Sequence, residues 1–307
     1  MFMRTVGITI FTPTFNRASH LKRLYESIKQ QQYTAFEWVI VDDGSTDETR
    51  ELVDNFKGEG NVAIRYFFQQ NSGKHVAINK GVKEAKGELF FIVDSDDFLV
   101  GDALQEINEA WQELLRECES EGFAGICGLC SYPNGEIVGG SVDYRVLDTS
   151  SLDYRYRRKY EGDRAEVFVT AVLTNYPFPI IEGETFCTEG VVWNRIGLSY
   201  KMRFIDKPLY VVEYLEGGLS ARSFQLRKAN PSYAMLFYSE LLQIRDIALS
   251  YKFRAALNFW RFAIYDRRHS LREKIRQVQQ FWTVCFLPVS YCLFCFESLK
   301  KVKHRTG

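Results

Sequence analysis

Asp94-Ser95-Asp96-Asp97 follows directly on the apolar stretch from Leu89 to Val93. Three carboxylates at the end of a buried strand repel one another and are costly to desolvate, and a bound cation relieves both costs. Asp94 and Asp96 bracket one residue. In an extended segment that spacing turns both side chains to one face, as two ligands of one hard divalent ion require. An Asp-rich turn capping a helix that starts near Asp102 would use the same residues, because so short a motif also arises by chance.

Two further strands end in polar clusters. Glu37-Trp38-Val39-Ile40-Val41 runs into Asp42-Asp43-Gly44-Ser45-Thr46-Asp47-Glu48-Thr49, where Ser45 and Glu48 have capping-box spacing and predict a helix through Leu52, Val53 and Phe56. Those caps leave Asp42 and Asp43 unexplained. Val6 to Phe11 is a strand leading into Thr12-Pro13-Thr14-Phe15-Asn16-Arg17. Apolar periodicity supplies the elements between: a helix carrying Leu21, Leu24, Tyr25 and Ile28, a strand from Val62 to Phe68, and a helix from Lys74 to Lys86 closed by Gly87. A helix from Asp102 to Glu119 and a strand from Phe123 to Leu129 come next. The alternation predicts an α/β fold, a mostly parallel central sheet flanked by helices. In such a sheet the ligand lies beyond the carboxyl ends of the strands, where all three clusters fall.

Thr12-Pro13-Thr14-Phe15-Asn16-Arg17, Val41-Asp42-Asp43-Gly44-Ser45-Thr46-Asp47, Ser72-Gly73-Lys74 and Asp94-Ser95-Asp96-Asp97, in this order and spacing, resemble the nucleotide-sugar half of a family 2 glycosyltransferase with the GT-A fold. The likeness is strong over residues 1–100 and weaker to about Leu219. It implies a GT-A domain over residues 1–225, with a nucleotide-sugar half (1–100) and an acceptor half (101–225), then a helical, basic C-terminal region at 226–307. It implies transfer of a sugar from a nucleoside diphosphate sugar, a UDP-sugar in the first instance, to an acceptor hydroxyl, with Mn2+ or Mg2+ as cofactor. A divalent ion bridging the two phosphates stabilises charge developing on the leaving oxygen. By the same resemblance Asp96 is the principal metal ligand, Asp94 meets the ribose or the metal through water, and Asp97 stands behind them. Asp43 would accept a hydrogen bond from the base, Thr12 and Pro13 would line its pocket, and Lys74 would lie near the base or the diphosphate. A lysine opening a helix is also an ordinary solvent-facing residue, although cations are not favoured at that end.

The acceptor half must supply a base. In the family an acidic pair, usually Glu-Asp, opens a helix, and an Arg follows six residues after its second member. Glu189 stands six residues before Arg195, with Thr188 in place of the first carboxylate and Gly190 just behind, so the resemblance aligns Glu189 with the general base. Glu182 and Glu184 stay open for that role, and carboxylates in the first turn of a helix are stabilised by its dipole whether or not they catalyse. One carboxylate on the acceptor side suits single displacement and inversion at the anomeric carbon. Tyr176-Pro177-Phe178-Pro179, stiffened by its prolines, would wall the acceptor pocket. The stretch from Asp143 to Tyr160 mixes Tyr144, Tyr154, Tyr156 and Tyr160 with Arg145, Arg155, Arg157, Arg158 and Lys159, and reads as a solvated helix before a sugar- and phosphate-binding surface. Gly217-Gly218-Leu219-Ser220-Ala221-Arg222 is either a lid bringing Arg222 over the diphosphate or a plain hairpin turn.

At 307 residues, with 46% apolar and 25% charged, the chain has room for one large α/β domain and an appendage. A formal charge of zero argues against a nucleic-acid binder, yet it hides an asymmetry: 12 basic and 3 acidic residues from Ser250 onward, against 27 and 36 before it. Seven cysteines, an odd number in mostly apolar surroundings, predict reduced thiols in a cytoplasmic setting. Cys127-Gly128-Leu129-Cys130 and Cys292-Leu293-Phe294-Cys295 lack a companion His and read as buried small hydrophobes rather than a zinc site. Met1 to Arg4 is too short for the charged leader of a secretory signal. Phe281 to Phe296 carries no charge, is interrupted by Pro288, and lies between Arg272, Lys274 and Arg276 on one side and Lys300, Lys301, Lys303 and Arg305 on the other. It falls short of the ~20 residues of a spanning helix. The segment reads as lying in the interface at the cytoplasmic face of a membrane, which would suit a lipid-linked saccharide acceptor, with a core helix as the alternative.

Two other functions compete. A nucleotide-sugar-binding protein that has lost catalysis is left open by Gly190, where an acidic residue is expected. A sugar nucleotidyltransferase would want a glycine-rich, basic loop after the first strand, and Thr12 to Arg17 has no glycine. A dehydrogenase lacks the same glycines.

Overall fold

The computed structural model describes residues 7–117, 121–213 and 222–303, with side chains as far as Phe296. Strand and helix alternate through β1 (Ile8–Thr14), α1 (Ala18–Lys29), β2 (Phe36–Asp42), α2 (Thr49–Glu59), β3 (Ile64–Phe68), α3 (Lys74–Glu84) and β4 (Leu89–Ile92). Then come β5 (Phe98–Leu99), α4 (Ala103–Glu117), β6 (Phe123–Ser131), β7 (Val146–Thr149), β8 (Arg164–Val169), α5 (Thr170–Asn175), α6 (Gly190–Gly197) and β9 (Lys201–Val211). Five helices complete the order: α7 (Ser223–Ala229), α8 (Pro231–Gln243), α9 (Leu249–Ala263), α10 (Leu271–Val278) and α11 (Leu287–Lys303).

The strands form one sheet in the order β3-β2-β1-β4-β8-β6-β9-β5, with β7 beside β9. By their pairings, β3, β2, β1, β4, β6 and β9 point one way, and β5, β7 and β8 run against them. This is the expected mostly parallel sheet flanked by helices. Every residue of β1, and all but the first of β2, is buried. Strands covered on both faces need such continuous apolar runs. Between helices and sheet, Tyr25 stacks on Phe56 with centroids 4.0 Å apart and on Trp38 at 6.2 Å. The chain leaves β1 to one side for β2 and β3, then returns to place β4 on the other side of β1. That reversal opens the crevice in which an α/β sheet receives its ligand.

The chain divides into two compact units, one of Met1–Pro179 with Val192–Tyr214 and one of Ile180–Val191 with Leu215–Gly307. The first contains the sheet. The second has its own core, in which Tyr233, Met235, Leu242, Phe259, Trp260, Phe262 and Val278 are buried.

Several local expectations are corrected. The capping box of Ser45 and Glu48 does not form: α2 begins only at Thr49, Ser45 Oγ accepts the Asn16 N–H at 2.8 Å, and Asp47 receives the Thr49 N–H at 3.1 Å. Long-range bonds to the first loop delay the helix. The Tyr- and Arg-rich stretch is no solvated helix. It makes β7 and a π-helical turn, Asp153–Arg157, whose buried Tyr154 stacks on Phe204 at 3.9 Å and accepts a hydrogen bond from Arg164 Nε at 2.8 Å. Cys127 and Cys130 are buried as expected, but Cys292 is exposed. Pro288 is the second residue of α11, where a proline starts a helix rather than interrupting one.

Two positions test this packing. A Cβ on Gly81 in α3 would run into the Phe11 ring of β1, which is itself stacked on Phe90. Gly81→Ala should therefore destabilise the protein by about 1–3 kcal/mol in urea unfolding, although alanine is the better helix former by ~1 kcal/mol. In the second unit the Asp266 side chain is fully buried, accepts the Arg268 and His269 N–H groups at 3.3 and 3.1 Å, and pairs with Lys274 at 3.3 Å. Burial favours its protonated form, but these bonds outweigh that and hold the carboxyl below the usual range. A depressed carboxyl stabilises the fold above its unfolded pKa, near 3.9, and that contribution is lost as pH falls through the folded value. Asp266→Asn should cost about 1–3 kcal/mol at pH 7, and the gap between the two proteins should narrow below about pH 4.

Candidate active site

The loops leaving β1 and β2 are tied together. Asn16, at a positive φ of 53°, accepts the Thr46 N–H at 2.8 Å through its side chain, and Asp47 accepts the Ala18 N–H at 3.1 Å. Gly44 (φ 92°) lets this turn pass 2.9 Å from the Asn71 nitrogen, measured from where a Cβ would stand. Asp42 accepts the Ser45 N–H at 2.7 Å and the Tyr66 hydroxyl at 2.6 Å. Asp43, buried, accepts the Ser72 N–H and Gln69 Nε2 on Oδ1 and the Gly73 N–H on Oδ2, each at 2.8 Å. Each carboxylate oxygen can take two donors, so Oδ2 retains one site for a ligand. Thr12 is fully buried and receives the Trp38 indole N–H at 3.0 Å, with Pro13 buried beside it. Gly73 opens α3 at φ 98°, a conformation glycine adopts without strain, and so delivers Lys74.

Lys74 does not point freely into solvent. Its ammonium bridges both oxygens of Asp94 at 2.7 Å. The acidic run itself is a tight turn rather than an extended segment, with the Asp97 N–H bonded to the Asp94 carbonyl at 3.1 Å. Arg23 donates to the Asp96 carbonyl at 2.7 Å and pairs with Glu213 at 2.6 Å, while Arg17 approaches Asp96 Oδ2 at 3.9 Å. Asp94 and Asp96 keep part of their surface exposed, and Asp97 is buried behind them. Burial, then the charges of Asp94 and Asp96, push the Asp97 carboxyl up to about 8, against the opposing pull of Lys74 and the Glu213 N–H. Surplus negative charge on hard oxygen donors is the setting a divalent cation fits. Among the described residues no three His, Cys, Asp or Glu side chains form a metal cage. An ion held by Asp96 and Asp94 would thus take its other ligands from phosphate and water, as Mg2+ and similar ions commonly do.

Sequence reasoning missed Arg17, Arg23 and Glu213 as members of this cluster. Arg17 ends the first polar run, so its place was within reach. Arg23 meets Asp96 across 73 positions of sequence, and nothing local announces that.

In the second unit the three glutamates separate. Glu184 is buried, and its two oxygens accept the Ser232 and Tyr233 N–H groups at 2.9 and 3.0 Å, capping α8. Glu182 is exposed in a turn whose carbonyl holds Arg268. Glu189 is half-buried, immediately before α6. A Cβ on Gly190 would stand 2.8 Å from the Phe237 ring, which explains glycine at that position. Phe178 does not line an open wall: it is buried against Trp193 and exchanges two hydrogen bonds with Asn79. Arg222 is exposed at the start of α7, and residues 214–221, which include Gly217 and Gly218 of the suggested lid, lie outside the described residues.

The family description "Glycosyl transferase family 2" matches residues 9–176. The chain belongs to glycosyl transferase family 2. The Streptococcus pneumoniae glycosyltransferase GlyG is 36% identical over 237 residues, which cover 71% of this transferase and 74% of that protein. The GalNAc(5)-diNAcBac-PP-undecaprenol beta-1,3-glucosyltransferase of Campylobacter jejuni is 25% identical over 270 residues, 84% and 82% of the two chains. Among solved structures, S. aureus TarS 1-349 in complex with UDP-GlcNAc superposes with a TM-score of 0.61 at 19% identity, over 92% of this chain and 79% of that one. At that identity the likeness speaks for the GT-A fold.

Glu184→Ala tests how the glutamates are sorted. Leaving two buried N–H groups unpaired should cost this transferase about 1–3 kcal/mol in urea unfolding, and Glu182→Ala should cost almost nothing.

Proposed function

We propose that this glycosyltransferase moves a sugar from a UDP-sugar to a hydroxyl of a saccharide or lipid-linked saccharide, with inversion, in the assembly of a surface polysaccharide or glycolipid at the cytoplasmic face of a membrane. The observation that carries the reading is the meeting of three strand ends at the switch point of the sheet: the Thr12 and Pro13 end of β1, the Asp43 end of β2 and the acidic turn after β4. Asp43 keeps one acceptor site for a ring N–H such as uracil offers. Asp96 and Asp94 would hold Mn2+ or Mg2+, whose charge stabilises the departing diphosphate. Lys74 and Arg222 would add positive charge for the phosphates. The nucleotide pockets of relatives support the donor class: TarS has been crystallised with UDP-GlcNAc, and a Pyrobaculum calidifontis mannosyltransferase with GDP-Man and Mn2+.

Glu189 is assigned as the base that takes the acceptor proton while its oxygen attacks the anomeric carbon. Glu184 is committed to capping α8. The C. jejuni relative is named for an undecaprenol-linked substrate, which favours a lipid-linked acceptor here.

Thermal-shift measurements with UDP-, GDP-, dTDP- and CMP-sugars, with and without Mn2+, test the donor, because a ligand bound only by the native state raises its melting temperature. A UDP-sugar should stabilise the protein in a Mn2+-dependent way, and Asp96→Ala should abolish that increment. Glu189→Gln should retain donor binding and lose about 10^2-fold or more in turnover. Full turnover by Glu189→Gln would remove the base assignment, and a retained anomeric centre in early product by proton NMR would remove inversion.

A further inference from the structure

The last two helical segments are patterned inside out. In the 3-10 turn Phe281–Phe286 and in α11, the fully buried positions include the polar Thr283 and Ser290. Thr283 Oγ1 accepts the Trp260 indole N–H at 3.2 Å, and Ser290 Oγ donates to the Leu257 carbonyl at 3.0 Å, so both polar groups are satisfied inward on α9. The outward positions are apolar: Phe281 is 78% exposed, Val289 51%, Tyr291 56% and Phe296 57%. Trp282, Phe286 and Phe253 of α9 join them as a ring cluster, with centroids 5.7–6.1 Å apart. Leu249 extends the apolar surface one turn along α9. A helix facing water carries its charges outward, and this stretch has none between Phe281 and Phe296. No helix among the described residues is long and apolar enough to cross a membrane.

We infer that this face, with Phe253, Phe281 and Trp282 as its anchors, seats the second unit on an anionic lipid bilayer. The inference deepens the membrane-surface element of the proposed function by naming the surface and the lipid charge. Charge decides among the possible occupants. Arg254 adjoins Phe253, Arg245 lies in the turn between α8 and α9, and Arg272 and Arg276 are exposed on α10, and they outnumber the exposed acids beside them, Asp246 and Glu273. A bilayer of anionic headgroups attracts those arginines while its acyl boundary takes the rings. A second copy of this chain would set the same arginines against each other across a symmetric interface. Aromatic side chains are also the ones that collect at the boundary between headgroup and hydrocarbon.

Trp282 is the one tryptophan of five that is not buried, at 39% exposed, and so reports contact with lipid. The full-length protein should sediment with vesicles of phosphatidylcholine and phosphatidylglycerol, bind phosphatidylcholine alone far less, and be released by salt. Brominated lipid should quench its fluorescence, and Trp282→Phe should remove most of that quenching. The triple variant Phe253→Ser, Phe281→Ser and Trp282→Ser should lose about tenfold or more in vesicle affinity, as expected when three large apolar anchors leave an interface. Its UDP-induced thermal shift should match that of the parent protein, showing that the fold is kept. Parent protein that stays in the supernatant with anionic vesicles would overturn the inference, as would a triple variant that sediments equally well. So would a dimer in light scattering that the triple variant dissolves. Sugar transfer to a soluble acceptor without vesicle binding would sink the surface and leave the transferase reading, and vesicle binding without transfer would do the reverse.

Discussion

Electrostatic repulsion among Asp94, Asp96 and Asp97 governs the neighbourhood of β4. Three carboxylates in one four-residue turn cannot all ionise cheaply, and the surroundings answer in two ways. Lys74 and Arg17 bring positive charge to Asp94 and Asp96, while Asp97 is buried and held towards its protonated form. The pairing of Lys74 with Asp94 makes physical sense of a lysine at the unfavourable end of a helix. Its charge is set against a carboxylate rather than left to the dipole of α3. The parallel half of the sheet makes the arrangement possible, because strands that run the same way deliver their carboxyl ends to one edge.

Much of this was legible in the sequence where the signal is local. Continuous apolar runs marked β1, β2 and β4, and clusters of Asp, Thr and Asn marked the loop at the end of each. The features that escaped were non-local. Ser45 and Glu48 have the spacing of a capping box, yet Asn16, far away in sequence, takes Ser45 for itself. Tyr154 sits among arginines and looks solvated, but long-range packing on Phe204 and a bond from Arg164 place it in the core. The acidic run could be read as an extended segment or as an Asp-rich turn, and the bond from the Asp97 N–H to the Asp94 carbonyl makes it a turn. The glutamates of the acceptor half show the same limit. Glu182, Glu184 and Glu189 are indistinguishable by type, and only the fold shows that Glu184 spends both oxygens on the first turn of α8.

The inverted pattern at the end of the chain has a related origin. Composition identified an uncharged segment between basic flanks, but not which side chains it would turn outward. Two small hydroxyl residues decide that: Thr283 and Ser290 find partners on α9, at Trp260 and Leu257, and the rings are left on the other side.

The interlocked loops after β1 and β2 carry a further consequence. Asn16 and Asp43 each accept backbone N–H groups from a loop other than their own, and Asp47 accepts that of Ala18 at the start of α1, so that the turn after β1, the turn after β2 and residues 72–73 are tied together. Such a lattice behaves as one inherited module. A chimera that imports a single loop from another transferase would strand donors in the two it leaves behind, so recombination at this edge succeeds only when the three segments travel together.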